Sequence, residues 1–149
     1  MWTEYKPEGE YISIDRWGKD HWSTLAYLET CAVDNRGLID NRRMRTHPRL
    51  HRELVGITFG EIQDGSQYPT RLREGELEKH DDWSCLEDMV ANKLCRAFFR
   101  EKYDRPFGGN ESRVEFTELG LKVAAELRAY KASGGKFSDF FYLPDVKLV

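Results

Sequence analysis

The chain has 149 residues, of which 40% are hydrophobic and 33% charged, and its formal net charge is −3 at pH 7. This length and composition predict one globular domain, residues 1–149, and exclude a disordered chain. The slightly acidic total also excludes a protein that binds nucleic acid through its bulk charge alone.

No stretch reaches the roughly 20 apolar residues that span a bilayer, and the first seven residues lack the basic and apolar regions of a signal peptide. The three cysteines, Cys31, Cys85 and Cys95, form no C-x-x-C pair. We therefore expect a cytoplasmic protein with no membrane partner, whose cysteines are reduced and mostly buried.

The first part of the chain predicts one helix after an extended N-terminal arm at residues 1–19, in which residues 11–15 favour a short strand. Asp20 is the predicted N-cap, because apolar residues recur behind it at helical spacing. The helix is expected to end near residues 34–37, where Asn and Gly tolerate a left-handed backbone, and residues 38–39 then predict a very short strand.

Residues 36–52 contain six arginines and one aspartate. Arginine guanidinium groups match phosphate oxygens, and clustered positive charge gives a salt-dependent affinity for nucleic acids. The segment therefore predicts a nucleic-acid or anion-binding site made by Arg36, Arg42, Arg43, Arg45, Arg49 and Arg52. Two other interpretations stay open at this point: the segment folds against the acidic residues of positions 74–88, or its arginines are simply solvated.

The second half of the chain has the clearest pattern, after residues 55–79, which predict an irregular loop or insertion. Asp81 or Asp82 predicts the cap of a second helix, and strands follow at residues 95–100 and 113–116. Thr117 predicts the cap of a third helix that ends in the glycines after Ser133, so that residues 81–133 form the core.

Residues 136–149 form an aromatic C-terminal tail. Because so many aromatic side chains are too apolar to stay in water, the tail is expected to pack on the body of the protein or on a second copy of the chain. A homodimer formed through this tail is one of the partners that the sequence predicts.

The order helix, strand, loop, strand and helix, with Phe116-Thr117-Glu118-Leu119-Gly120 before the last helix, resembles the wing and final helix of bacterial winged-helix proteins. The resemblance covers residues 81–133. It implies an α+β, winged-helix-like fold in which helices accompany a small antiparallel β wing.

In DNA-binding winged-helix proteins, the helix before the wing enters the major groove. Here that helix and the residues leading into it are strongly acidic, and an acidic surface repels phosphates: Glu74, Glu76, Glu78, Asp81, Asp82, Glu87 and Asp88. We therefore expect anion recognition to lie upstream, in residues 36–52.

Two functional hypotheses follow. The first is a non-catalytic binding or regulatory protein, without a cofactor, that contacts DNA or an acidic protein surface through residues 36–52. The alternative is a metal-dependent hydrolase built from His21, His80, Asp81 and Asp82, because histidine and carboxylate side chains bind metal ions and transfer protons.

Overall fold

We describe residues 2–45, 69–78, 80–101 and 110–143 of a computed structural model of the chain. These residues form an α+β fold with three α-helices and five strands. In chain order the elements are β1 (Thr3–Glu4), α1 (Lys19–Asp34), β2 (Thr70–Leu72), β3 (Gly75–Leu77), α2 (Asp82–Ala91), β4 (Cys95–Glu101), β5 (Asn110–Phe116) and α3 (Glu118–Ala132). None of the described helices is long and apolar enough to cross a membrane.

The strands form two small antiparallel sheets. One has the order β1-β4-β5, with Ala97 opposite Val114, and the other is the hairpin of β2 and β3. The predicted strand at residues 38–39 is a single bridge, in which Leu38 pairs with Arg113 at the edge of β5. The predicted strand at residues 11–15 is wrong, because residues 14–16 form a 3-10 turn there instead.

The core lies where the three helices meet the larger sheet. Its apolar side chains recur at helical spacing in the sequence, which is why each helix turns one face inward. Members with 0% exposure include Trp22, Leu25, Leu28, Trp83, Leu86, Met89 and Val123. Burying one such side chain stabilises the fold by about 1.5–3 kcal/mol, so these residues supply most of the driving force.

The start of α1 differs from the prediction. The helix begins at Lys19 with Gly18 as its N-cap, so Asp20 is not the capping residue. A Cβ atom on Gly18 would lie 2.3 Å from the carbonyl oxygen of Arg71, because β2 packs against the helix terminus. The Asp20 carboxylate accepts a hydrogen bond from the backbone N–H of Arg71 at 2.6 Å, and it therefore docks the hairpin onto α1.

The hairpin of β2 and β3 occupies the end of the segment predicted to be an irregular loop, residues 55–79. Residues 70–77 are therefore not an irregular loop, whereas the alternative of an insertion stays a prediction. Residues 55–68 and 79 of the predicted segment lie outside the described part of the chain.

The elements predicted between residues 81 and 133 are confirmed. Asp81 caps α2 by accepting a hydrogen bond from the backbone N–H of Ser84 at 2.9 Å. Thr117 caps α3 in the same way, through the N–H of Gly120 at 3.1 Å. Ser133 is the C-cap of α3, and Gly134 follows it with a left-handed φ of +96°.

The junction between β5 and α3 explains the glycine of the Thr117–Gly120 turn. The backbone N–H of Thr117 donates to the carbonyl oxygen of Leu94 at 3.0 Å, and the Thr117 hydroxyl lies 2.9 Å from the same oxygen. A Cβ atom on Gly120 would lie 1.8 Å from that oxygen. Glycine is therefore required here, because the first turn of α3 touches the backbone just before β4.

The aromatic tail packs on the body of the protein, as one of the two expectations required. Phe140 and Tyr142 are buried, and the Phe140 ring meets the Trp22 ring edge-on with 4.7 Å between their centroids. Phe141 and Leu143 are 38% and 62% exposed. Residues 144–149 of the predicted tail lie outside the described part of the chain.

Candidate functional site

Helix α2 lies in the interior of the molecule. Every residue from Asp82 to Met89 is buried, including three acidic ones. The expectation of an acidic surface on this helix is wrong, because each of these carboxylates meets a partner inside the protein; Glu87, for example, accepts a hydrogen bond from the Tyr5 hydroxyl at 3.0 Å. The acidic residues of the hairpin, Glu74, Glu76 and Glu78, are exposed. A helix covered in this way has no free face to place in a DNA groove.

Asp88 of α2 joins two histidines in the centre of the molecule. Its Oδ2 atom lies 2.7 Å from His21 Nε2 on α1 and 2.8 Å from His80 Nε2, just before α2. Its Oδ1 atom accepts a hydrogen bond from the backbone N–H of Ile12 at 3.0 Å. The three side chains are at most 2% exposed, so this network connects the N-terminal arm, α1 and α2 away from solvent.

The pKa values of this network follow from burial and hydrogen bonding. Burial acts to raise the pKa of Asp88, but the hydrogen bonds from His21 and His80 outweigh burial and hold that pKa below its usual value of 3.8. Burial lowers the pKa of His21 below 6.5, and the hydrogen bond to Asp88 only partly opposes the change. The ring of His21 stacks on Trp17 with 4.9 Å between centroids, which completes its apolar enclosure.

Cys85 adds a sulfur atom to the same cluster. Its Sγ lies 4.0 Å from His80 Nδ1, and His80 Nδ1 is also 2.8 Å from the Thr70 hydroxyl. One ligand atom from each of His21, His80 and Cys85 lies within 4.8 Å of the other two. Two imidazole nitrogens and one sulfur form a donor set that suits a transition metal such as zinc.

The cluster is poorly suited to nucleophilic catalysis. Burial raises the pKa of Cys85 well above 9.0, so its thiol stays protonated at neutral pH when no metal ion is bound. Full burial also keeps substrates away from both histidines. The arrangement can organise structure or hold an ion, and we see no route for a substrate through the described residues that surround it.

The structure brings together only half of the predicted His/Asp site. His21 and His80 converge, with 5.4 Å between their ring centroids. Asp81 is the α2 cap, and Asp82 accepts from Arg45, with 3.0 Å between Asp82 Oδ2 and Arg45 Nε. Burial raises the pKa of Asp82, and the Arg45 guanidinium offsets part of that effect.

Asp88 and Cys85 were missing from the sequence-based site. The sequence predicts Asp88 on an acidic surface and Cys85 among the reduced, mostly buried thiols. One signal was available: the two residues are three positions apart, so on a helix that follows His80 they lie on one face.

The described arginines of the segment differ in how many contacts hold their side chains. Arg45 donates to Asp20 Oδ1 at 3.0 Å and to the Ser23 hydroxyl at 2.6 Å, in addition to its bonds with Asp82. For Arg45, the interpretation that the segment folds against the acidic residues 74–88 is therefore confirmed. Arg42 is 86% exposed and pairs with Asp40 at 3.2 Å.

Arg36 and Arg43 are also exposed. Arg43 contributes to an open cleft of about 340 Å³ whose other lining residues are Ser23, Thr24, Tyr27, Arg45 and Asp82. Arg49 and Arg52 lie outside the described residues.

Comparison of the chain with protein-family models, with curated proteins and with solved structures found no match.

Proposed function

We propose that the chain is a non-catalytic, winged-helix-like binding protein that contacts the phosphate backbone of duplex DNA through exposed arginines ahead of residue 45. The observation that supports this proposal most directly is the position of Arg42 and Arg43. Both side chains are exposed on a 3-10 turn whose two flanks are fixed to the body of the protein.

The anchoring of this turn is specific. On one side, the backbone N–H of Asp40 donates to the Tyr27 hydroxyl at 3.0 Å. On the other side, Met44 is 3% exposed, and the backbone N–H of Arg45 donates to Asp82 at 2.7 Å. Because the backbone is already ordered, the two guanidinium groups bind an anion with a small entropic cost.

The ion pair between Arg42 and Asp40 does not prevent phosphate binding. The hydrogen bonds from Arg42 lower the pKa of Asp40, which keeps this carboxylate charged. Exposed pairs of this kind contribute only about 0–1 kcal/mol, so a phosphate group competes with Asp40 at little cost.

Two observations favour binding over catalysis, and DNA over an acidic protein surface. The His/Asp/Cys cluster is enclosed, and a hydrolase needs a metal ion that its substrate reaches. The order α2, β4, β5 and α3 resembles that of winged-helix DNA-binding proteins. We place the phosphate contacts not on α2 but on the 3-10 turn at Asn41–Arg43, called the arginine turn below. Binding to an acidic protein surface is the competing outcome in the experiment below.

We also propose that the protein works in the cytoplasm in a regulatory role. Its three thiols are free and buried, as expected in a reducing compartment. A homodimer through the tail is a further proposal, supported by the exposure of Phe141 and Leu143. Light scattering of the parent and of a Leu143→Ser variant would measure it, and a monomeric parent would exclude it.

The experiment compares duplex binding of a double variant, Arg42→Ala/Arg43→Ala, with that of the parent over a salt titration. Each lost phosphate contact reduces the slope of log K against log salt by about 0.9, so we expect this slope to fall by roughly 1.8 in the double variant. Arg128→Ala/Lys136→Ala is the matched control, because it removes the same two charges from exposed positions in and after α3.

Three outcomes are informative. A weaker affinity and a smaller slope in the first variant but not in the control support the proposal. Equal behaviour of the parent and the first variant overturns it. Displacement of labelled duplex by poly-glutamate at concentrations as low as those of unlabelled DNA would instead assign the arginine turn to an acidic protein partner.

A further inference from the structure

We propose that His21, His80 and Cys85 bind one zinc-class metal ion in the interior of the protein, with Asp88 positioning both imidazole rings. This site differs from the hydrolase alternative in its ligands and in its role. It would be a structural centre that ties α1 to α2 and to the segment before α2, because no substrate reaches it through the described residues.

The distances are close to those that a metal ion requires. In a tetrahedral zinc site whose ligands are two nitrogens, one sulfur and a water molecule, neighbouring ligand atoms are roughly 3.3–3.6 Å apart, given bond lengths of about 2.0–2.3 Å. Here one ligand atom from each of His21, His80 and Cys85 lies within 4.8 Å of the other two. His80 Nδ1 lies 4.0 Å from Cys85 Sγ, and it also contacts the Thr70 hydroxyl at 2.8 Å, a contact that an ion would replace. A bound ion would draw the three side chains together by about 1 Å.

Asp88 occupies the place of a supporting carboxylate. Histidines that bind metals almost always donate their second ring N–H to a carboxylate or carbonyl group, which fixes the tautomer and orients the ring. Asp88 Oδ2 contacts both histidines, and its other oxygen is held by the N–H of Ile12. The carboxylate is therefore fixed before any ion binds.

His21 also has an unused ring nitrogen. While Nε2 contacts Asp88, the fully buried Nδ1 makes no hydrogen bond with any described residue. A buried polar atom without a partner is costly, and metal coordination is one way to remove that cost.

The charges of the cluster balance when a divalent ion binds. The Cys85 S–H bond breaks, its proton passes to solvent, and the sulfur forms a bond to the metal as a thiolate. Thiolate and Asp88 carboxylate then supply two negative charges against the two positive charges of the ion, so the buried centre is neutral overall. Nitrogen and sulfur ligands favour zinc-class ions over magnesium or calcium, which prefer oxygen.

The test uses the full chain, stripped with EDTA, dialysed and titrated with Zn²⁺ by calorimetry and with Co²⁺ by absorbance. We expect one ion per chain and a sulfur-to-cobalt charge-transfer band. Cys95→Ser is the matched control, since Cys95 is another free, buried cysteine that lies outside the cluster. Cys85→Ser should lose the band and bind Zn²⁺ at least tenfold more weakly.

Asp88→Asn tests the positioning role. This variant should keep the charge-transfer band but bind the ion about 10–100-fold more weakly, because the ligands remain and only their orientation is lost.

The wild-type protein decides the metal-site proposal even if circular dichroism shows that a variant is unfolded. Absence of stoichiometric Zn²⁺ and of the cobalt band in the folded parent overturns the site, and so does an unchanged band in a folded Cys85→Ser variant. The DNA-binding proposal is tested by a separate measurement, the salt dependence of duplex binding, and does not depend on this result.

Discussion

Replacing Gly120 by alanine should destabilise the protein, although alanine is the better helix former. In an exposed helix interior this substitution stabilises by about 1 kcal/mol. At Gly120 the new Cβ would lie 1.8 Å from the carbonyl oxygen of Leu94, whereas real Cβ atoms keep at least 3.0 Å from such neighbours. The first turn of α3 must therefore move away from Leu94 by more than about 1 Å.

That movement breaks the contacts of Thr117 with Leu94 O, which are 3.0 Å long for the backbone N–H and 2.9 Å for the hydroxyl. Each hydrogen bond contributes about 1 kcal/mol, and overpacking strain adds about 1–3 kcal/mol. After the gain in helix propensity is subtracted, we expect a net loss of about 2–4 kcal/mol in the free energy of unfolding. The corresponding fall in Tm is roughly 4–16 °C for a chain of this size.

Urea denaturation followed by circular dichroism gives the free energy of unfolding, and a thermal scan gives Tm. Ala125→Gly is the control, because position 125 is exposed on the same helix and reports helix propensity alone; it should cost about 1 kcal/mol. A Gly120→Ala protein as stable as the parent, or more stable, would show that α3 does not touch the backbone at Leu94.

The remaining predictions concern the buried network and the arginine turn. Asp88→Ala should cost about 3–5 kcal/mol in urea denaturation, because two ring N–H groups and one backbone N–H lose a buried acceptor. In EDTA, the free energy of unfolding should fall as the pH drops from 7 to 5, by up to about 1.4 kcal/mol per pH unit. The reason is that His21 is protonated below about pH 6.5 in the unfolded chain, whereas its lowered pKa keeps it neutral in the folded protein. A second decline should begin below about pH 4, where the lowered pKa of Asp88 makes the folded state resist a proton that the unfolded chain accepts. Arg45→Ala should cost about 1–2 kcal/mol, because it leaves the nearly buried Asp82 without its cation.

These predictions about the buried network and the arginine turn have matched controls. Asn at position 88 keeps the shape and part of the hydrogen bonding, so it should cost less than alanine. His21→Gln should flatten the decline between pH 7 and 5, and an unchanged slope would mean that His21 is not its source. Arg42→Ala removes an exposed pair and should leave the stability close to that of the parent. An equal loss for Arg42→Ala and Arg45→Ala would contradict the difference in anchoring between the two arginines.

Local patterns in the sequence were sufficient for much of residues 81–133. The apolar period of α2 and α3, the side-chain caps at Asp81 and Thr117, and the glycine after Ser133 all act within one helical turn. All the groups involved are close neighbours in the sequence, so these elements were predicted correctly. Gly120 was part of the recognised turn, but the reason for it, contact with Leu94, depends on a residue 26 positions earlier.

The predictions failed where distant residues decide the outcome. Asp20 is a residue type that often caps helices, yet Gly18 is the N-cap of α1. Gly18 is in close contact with Arg71 of β2, which lies 53 positions later in the sequence. The two strands of the hairpin have three residues each, too few for a visible alternation.

The His/Asp/Cys cluster depends most on tertiary structure. A carboxylate in a helix normally indicates a solvated face, because burying its charge without partners is costly. The partners of Asp88 are Ile12, His21 and His80, at sequence separations of 76, 67 and 8 residues. Local patterns determined the helices and strands between residues 81 and 133, since that information lies within a few neighbouring residues. Only the fold placed these distant groups around one carboxylate, and so made α2 part of the interior.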